Sequence, residues 1–157
     1  MNVRAAALSD LPYIISLERK FSALGFVGSD AEPVHRERLG SADSSYFIFE
    51  LEEAAVGYAI LCGLSSVNRS IELKRVVVAD PGRGLGREAV RLTLRNAFGE
   101  MSAHRLWLDV YEDNHRARRV YRALGFVEEG TIRECVWDGS RFRSLVLMSM
   151  LEAEFAA

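Results

Sequence analysis

The stretch Val76-Val77-Val78-Ala79-Asp80-Pro81-Gly82-Arg83-Gly84-Leu85-Gly86-Arg87-Glu88-Ala89 decides how this chain is read. Its first residues form an uninterrupted apolar run, which suits a strand buried on both faces. The residues after Gly86 place Val90, Leu94, Ala97 and Phe98 on one face of a helix running from about Leu85 to Glu100. The segment is therefore strand, turn, helix. Gly82, Gly84 and Gly86 stand at alternate positions in the turn, where backbone N–H groups can point inward without Cβ obstruction. The helix start adds free N–H groups and a partial positive charge, so the turn is suited to a phosphate or pyrophosphate. Arg83 and Arg87 add cations at its rim. The same glycines also fit a tight turn with no ligand. Gly-Lys-Ser/Thr is missing, and the spacing is G-x-G-x-G, so neither a P-loop nor a dinucleotide fingerprint is present.

Working outward, Ile71 to Ala79 forms the strand, preceded by strands at Tyr46–Phe49 and Val56–Leu61 around a Glu52-Glu53 turn. A first strand lies at Val3–Ala7. Leu11, Ile14, Leu17 and Phe21 then recur at helical spacing over 10–21. A loop with Gly25, Gly28 and Pro33 follows, then a short helix around 31–39. Beyond the glycine turn, 104–111 alternates as a strand and 114–124 forms a helix. Thr131–Trp137 and Phe142–Leu151 pair as a hairpin through Asp138-Gly139. The expected fold is α/β (α+β): one domain over 1–157, with a mixed, mostly antiparallel sheet flanked by about four helices.

A second constellation lies between Leu106 and Gly130. Asn114, Ala117, Tyr121, Gly125 and Phe126 stand at fixed offsets after an alternating strand. Asn114 can cap the helix and present its amide to a ligand. Gly125 suits the residue after a helix end. Tyr121 reads either as a functional hydroxyl or as a core tyrosine whose hydroxyl is satisfied at an edge.

These two segments resemble the GNAT N-acetyltransferase superfamily. Its pyrophosphate loop, Q/R-x-x-G-x-G/A, is matched at Gly84 and Gly86, with Pro81 at the first position. Its later segment, N-x-x-A-x-x-x-Y-x-x-x-G-F, is matched at Asn114, Ala117, Tyr121, Gly125 and Phe126. The Val-Glu-Glu-Gly ending and the Asp-Gly hairpin are most similar to the branch containing ribosomal-protein and polyamine acetyltransferases. Pro81 supplies neither an N–H nor a charge, and Arg83 is placed to compensate.

The resemblance implies acetyl transfer from acetyl-CoA, a cosubstrate, to an amine by direct attack, without a metal. It implies pantetheine along Val76, Val77 and Val78, and phosphates at Arg83, Gly84, Leu85, Gly86 and Arg87, with Asn114 and Ala117 at the second helix. A backbone N–H near Val76 or Val77 would meet the oxyanion. Tyr121 would protonate the departing thiolate and Glu72 would serve as base. An edge carboxylate paired with Lys74 describes Glu72 equally well. Deprotonating a lysine-type amine at pH 7 costs ~4.6 kcal/mol, against ~1 kcal/mol for an α-amine, so the base matters most for the former.

On the acceptor side, Glu32, Glu37, Glu112 and Glu134 are acids able to attract a cationic amine, or ordinary surface acids. Phe26, Tyr46, Tyr111, Trp137 and Phe142 are candidate pocket aromatics. Arg118, Arg119 and Arg122 are candidates for the 3′-phosphate of CoA, or a solvated face.

The 157 residues are 49% apolar and 27% charged, as in globular domains, with a net charge of −2. That balance disfavours nucleic acid as a partner. No apolar run reaches the ~20 residues of a membrane helix. The N-terminus lacks a signal-peptide pattern, and Cys62 and Cys135 form no C-x-x-C pair. The expected location is cytoplasmic. The expected partners are a small-molecule or peptide amine and no membrane, with a homodimer through a sheet edge. A silent acetyl-CoA sensor is the alternative function.

Overall fold

A computed structural model describes residues 1–156. Seven strands form one sheet: β1 (Asn2–Ala5), β2 (Ser44–Leu51), β3 (Ala54–Cys62), β4 (Ser70–Val78), β5 (Arg105–Tyr111), β6 (Val127–Trp137) and β7 (Phe142–Leu151). Their order is β1-β2-β3-β4-β5-β7-β6. Every neighbouring pair is antiparallel except β4 with β5. The helices are α1 (Leu11–Ser22), α2 (Glu32–Leu39), α3 (Leu85–Arg95) and α4 (His115–Ala123). The expected mixed sheet and four helices are present. Among the described residues, no helix is long and apolar enough to cross a membrane.

Strand alternation sorts the core onto two faces. Phe47, Phe49, Ala59 and Leu61 face α3, whose Ala89, Val90 and Leu94 are buried against them. α4 joins this face through Ala117, Tyr121 and Leu124. Tyr46, Ile48, Tyr58 and Ile60 face the other way and meet Leu11, Ile14 and Leu17 of α1.

The second core also contains charge. Glu18 is fully buried on α1. It accepts from Arg75 of β4, from the Tyr58 hydroxyl at 3.1 Å and from the Asp30 backbone N–H at 2.8 Å. His35 of α2 lies 3.1 Å away, its other ring nitrogen 3.0 Å from the Tyr46 hydroxyl. Asp30 closes the cluster on Arg38 and Arg75 at 2.9 and 3.0 Å. Burial of these charges is tolerable because each has a partner.

Most strand ends shift by one or two residues from the sequence reading, and two boundaries differ more. α3 ends at Arg95, and Asn96–Glu100 continues as a wider π-type turn. β6 begins at Val127 rather than Thr131, a long edge strand that breaks register at Glu128/Gly130 and Ile132/Val136. The last hairpin turns where expected, over residues 138–141, and the Asp138 carboxylate caps the N–H groups of Ser140 and Arg141 there at 2.9 and 3.0 Å.

Candidate active site

β4 and β5 pair only from Ser70–Glu72 to Arg105–Trp107. A strand separation opens beyond that point, and a cavity of about 800 Å³ occupies it. β4 carries a bulge there: Ile60 opposes Arg75 while Leu61 opposes Leu73, which leaves Lys74 as the extra residue. The bulge resets the alternation, so both Leu73 and Val76 pack toward the α3 side.

At one end of the cavity stand Pro81, Gly82, Gly84, Gly86 and Arg87. Gly82 and Gly84 have φ of 117° and 79°, the left-handed region that favours glycine. The Gly84 carbonyl accepts from the N–H groups of Arg87 and Glu88 at 3.1 and 3.2 Å, which starts α3. Gly84 has no side chain to cap the first turn, so the N–H groups of Leu85 and Gly86 lack intrahelical acceptors. A Cβ on Gly84 would meet nothing within 4 Å. The turn is thus an open cradle of N–H groups at a helix N-terminus, suited to a phosphate or pyrophosphate.

α4 delivers a second N-terminus to the same end. Asn114 caps it by accepting from the Ala117 N–H at 3.2 Å. His115 and Arg116 follow and line the cavity. Arg116 reaches over the glycine turn, its Nη2 3.6 Å from where a Gly82 Cβ would stand. A cation in the first turn of a helix opposes its dipole, so the presence of Arg116 there suits a bound anion.

Val76, Val77 and Val78 form the β4 wall, and Tyr121 faces them from α4 with Ala117. The Tyr121 ring stands edge-on to Phe126, centroids 5.6 Å apart. Its hydroxyl makes no hydrogen bond among the described residues. Burial, helped by the negative charge of Asp109, pushes the phenol up to about 12. The group therefore keeps its proton at any working pH.

Glu72 of β4 and Asp109 of β5 also line the cavity, one on each strand of the splay. Glu72 sits 3.7 Å from Lys74 Nζ, so it is a paired carboxylate that also lines the cavity. Asp109 is open to the cavity, yet the surrounding wall desolvates it enough to raise its pKa, against the pull of Lys74.

The structure brings Glu72, Val76, Val77, Val78, Gly84, Gly86, Arg87, Asn114, Ala117 and Tyr121 to one cavity. Arg83 and Leu85 lie outside its wall; the Arg83 side chain is exposed and turned to Asp80 at 3.4 Å. Arg118 and Arg122 are occupied elsewhere, binding Glu128 of β6 at 3.0 and 2.6 Å. On the acceptor side, Phe26 and Tyr111 line the cavity. Tyr46 is buried in the second core, and Trp137 and Phe142 pack on each other, exposed on the hairpin. None of Glu32, Glu37, Glu112 and Glu134 reaches the wall. Glu32 pairs with Arg36, and Glu112 and Glu134 border a separate depression beside Arg133.

Sequence reasoning missed Asp109, His115 and Arg116. Asp109 was visible as the one acid in the alternating strand Leu106-Trp107-Leu108-Asp109-Val110. His115 and Arg116 were visible as a helix start with no acid in its first turn.

The fold and this cavity define an acetyl-group transferase. The chain belongs to the GNAT acetyltransferase family, whose model, described as "Acetyltransferase (GNAT) family", matches residues 13–126. Acetyl-CoA is its acetyl donor and an amine its acceptor. It is 21% identical over 164 residues to a spermidine N(1)-acetyltransferase of Vibrio cholerae, covering 99% of this chain and 95% of that protein. It is 29% identical over 100 residues to a putative ribosomal N-acetyltransferase of Bacillus subtilis, covering 63% of this chain and 55% of that one. The structure of the Vibrio cholerae spermidine N-acetyltransferase with CoA and spermine has the same fold: TM-score 0.87, 21% identity, 98% of this chain and 96% of that chain.

Proposed function

We propose that this chain acetylates a small primary amine by direct attack within the β4–β5 cavity. The observation that carries the reading is the splay itself. It puts two helix N-termini and Tyr121 around one open gap, with a carboxylate on each flanking strand, Glu72 on β4 and Asp109 on β5. The N–H cradle at Gly84 and Gly86, with Arg87 and Arg116, holds the phosphates. The backbone of Val76–Val78 pairs with pantetheine as an added strand would, and its N–H near Val76 or Val77 meets the oxyanion.

In the reaction, the amine nitrogen bonds to the acetyl carbonyl carbon and the C–S bond breaks. One proton leaves the nitrogen for a carboxylate, and the Tyr121 hydroxyl gives one to the sulfur. Glu72 takes the first proton, directly or through a water. A second reading assigns that role to Asp109, because Lys74 already pairs with Glu72 while desolvation by the cavity wall gives Asp109 the raised proton affinity that a base needs.

Location in the cytoplasm belongs to the same reading, supported by two unpaired cysteines, Cys62 and Cys135. So does a homodimer through the β6 edge, supported by exposed Val127, Ile132 and Trp137 on that strand. Light scattering tests it: a dimer mass is expected, and a monomer at all concentrations would remove it. The function itself is tested by mixing the protein with acetyl-CoA and primary amines. Free thiol should appear in proportion to acetylated amine. Tight acetyl-CoA binding without release from any amine would replace the enzyme by a silent binding domain.

A further inference from the structure

The acceptor end of the cavity has almost no negative charge to spare. Three carboxylates reach its wall: Glu72, Asp109 and Asp113. Glu72 is 3.7 Å from Lys74, and Asp109 feels the same ammonium. Asp113 is held by Arg143 at 2.7 Å and Arg141 at 3.2 Å. Behind the wall, Asp30 and Glu18 are matched by Arg38 and Arg75. Lys74 and Arg75 themselves line the cavity.

The rest of this end is apolar, built from Phe21, Leu24, Phe26, Val27, Val136 and Leu145. Leu24 and Phe26 are 59% and 48% exposed. The loop that bears them is fixed rather than collapsed. Arg143 Nη1 donates to the Gly25 carbonyl at 2.6 Å, and its guanidinium lies 3.7 Å from the centroid of the Tyr111 ring. At the far side, the Gly28 backbone packs so near Arg75 that an added Cβ would stand 3.2 Å from Nη2. A preformed apolar wall binds an apolar group without the cost of ordering a loop.

A linear polyamine brings at least one ammonium group besides the reacting nitrogen. Each such charge needs a carboxylate of its own when taken from water. Here Asp113 is matched by arginines, and Glu72 and Asp109 share the one ammonium of Lys74, which leaves a single negative charge for the reacting nitrogen and none for a second ammonium.

We propose that the acceptor is a small monoamine whose nitrogen is carried on an apolar, aromatic-sized body, and that a polyamine is a poor substrate. The nitrogen would sit between Glu72 and Asp109, and the body would lie on Leu24, Phe26 and Val136. This rests on the cavity being the acceptor site, as argued above.

The test compares kcat/KM for 2-phenylethylamine and spermidine at saturating acetyl-CoA, read by thiol release. The expected ratio is at least about tenfold in favour of 2-phenylethylamine, equivalent to about 1.4 kcal/mol. Equal or better turnover of spermidine would overturn the proposal and leave acetyl transfer standing. In the double variant Leu24→Glu, Phe26→Glu, both changes fall on exposed side chains. It should shrink or invert the ratio, and an unchanged ratio would remove these residues as the specificity wall. Absence of thiol release with every amine would instead strike the functional reading. In that case, calorimetry on the CoA-loaded protein reads the wall alone: tighter 2-phenylethylamine supports it, while tighter spermidine, or no binding of either amine, refutes it.

Discussion

The two faces of the sheet solve different problems, and the larger apolar cluster lies under α3 and α4. Under α3 and α4 the core is almost wholly apolar, and its ligand end is made of backbone: glycines, helix starts and a strand left without a neighbour. Under α1 and α2 the core encloses Glu18, His35, Asp30, Arg38 and Arg75, and the ligand end is made of side chains. On the proposed reading the first face binds a donor with fixed chemistry, and backbone N–H groups suit it whatever the neighbouring side chains are. The second must fit an acceptor, and only side chains distinguish one amine from another. The ion cluster serves that face by tying α1, α2 and the 23–31 loop to β4, the strand that also borders the donor.

The largest expected effect breaks this contrast by removing charge from the second core. Glu18→Gln leaves Arg75 buried and undercompensated, for a loss of about 3 kcal/mol and a fall in Tm of roughly 10 °C. Thermal unfolding by circular dichroism measures it. A change within 1–2 °C would mean, in ~0.5 kcal/mol terms, that the cluster contributes little beyond packing.

The next variant tests the backbone end. Gly84 has φ of 79° and open space beyond it. In Gly84→Val the branched side chain resists that conformation and enters the cradle. Acetyl-CoA affinity should fall by about tenfold or more, ~1.4 kcal/mol, with the Tm changed far less than in Glu18→Gln. Unchanged affinity in a calorimetric titration would remove the turn from the donor site.

A smaller effect separates the two carboxylates. Glu72→Gln should slow transfer to a lysine-type amine by ~10²-fold and to an amine of lower pKa by only a few-fold. Asp109 has a raised pKa, so its proton-accepting form appears only as pH rises through a value above the ordinary 3.8. If Asp109 is the base, kcat/KM has an acid limb above that value, and Asp109→Asn abolishes it. Loss of the limb in Glu72→Gln, and not in Asp109→Asn, keeps Glu72 as the base.

The same contrast explains what could be read in the sequence. The donor end is local: Gly82 to Arg87 lie within one turn, and Asn114, Ala117 and Tyr121 within one helix, so spacing alone exposes them. The seven strands and four helices were legible for the same reason, from periods of two and 3.6. The acceptor end is assembled by long-range contacts. Glu18, Asp30, His35 and Arg75 come from four separate segments, and nothing in the pattern of α1 marks Glu18 as buried. Asp109 meets Lys74 and Tyr121 only because β4 and β5 run parallel and then part. The acids at 32, 37, 112 and 134 had the right charge, but the fold turns them away from the cavity.

The central claim is that Tyr121 serves the chemistry of the cavity rather than its packing. A single variant, Tyr121→Phe, tests this, because it keeps the ring on Phe126 and removes only the hydroxyl. Turnover at saturating acetyl-CoA and amine should fall by tens- to hundreds-fold, about 2–3 kcal/mol, while the Kd for acetyl-CoA stays within about twofold. A wild-type turnover rate, or a weakened Kd that accounts for the whole loss, would contradict it.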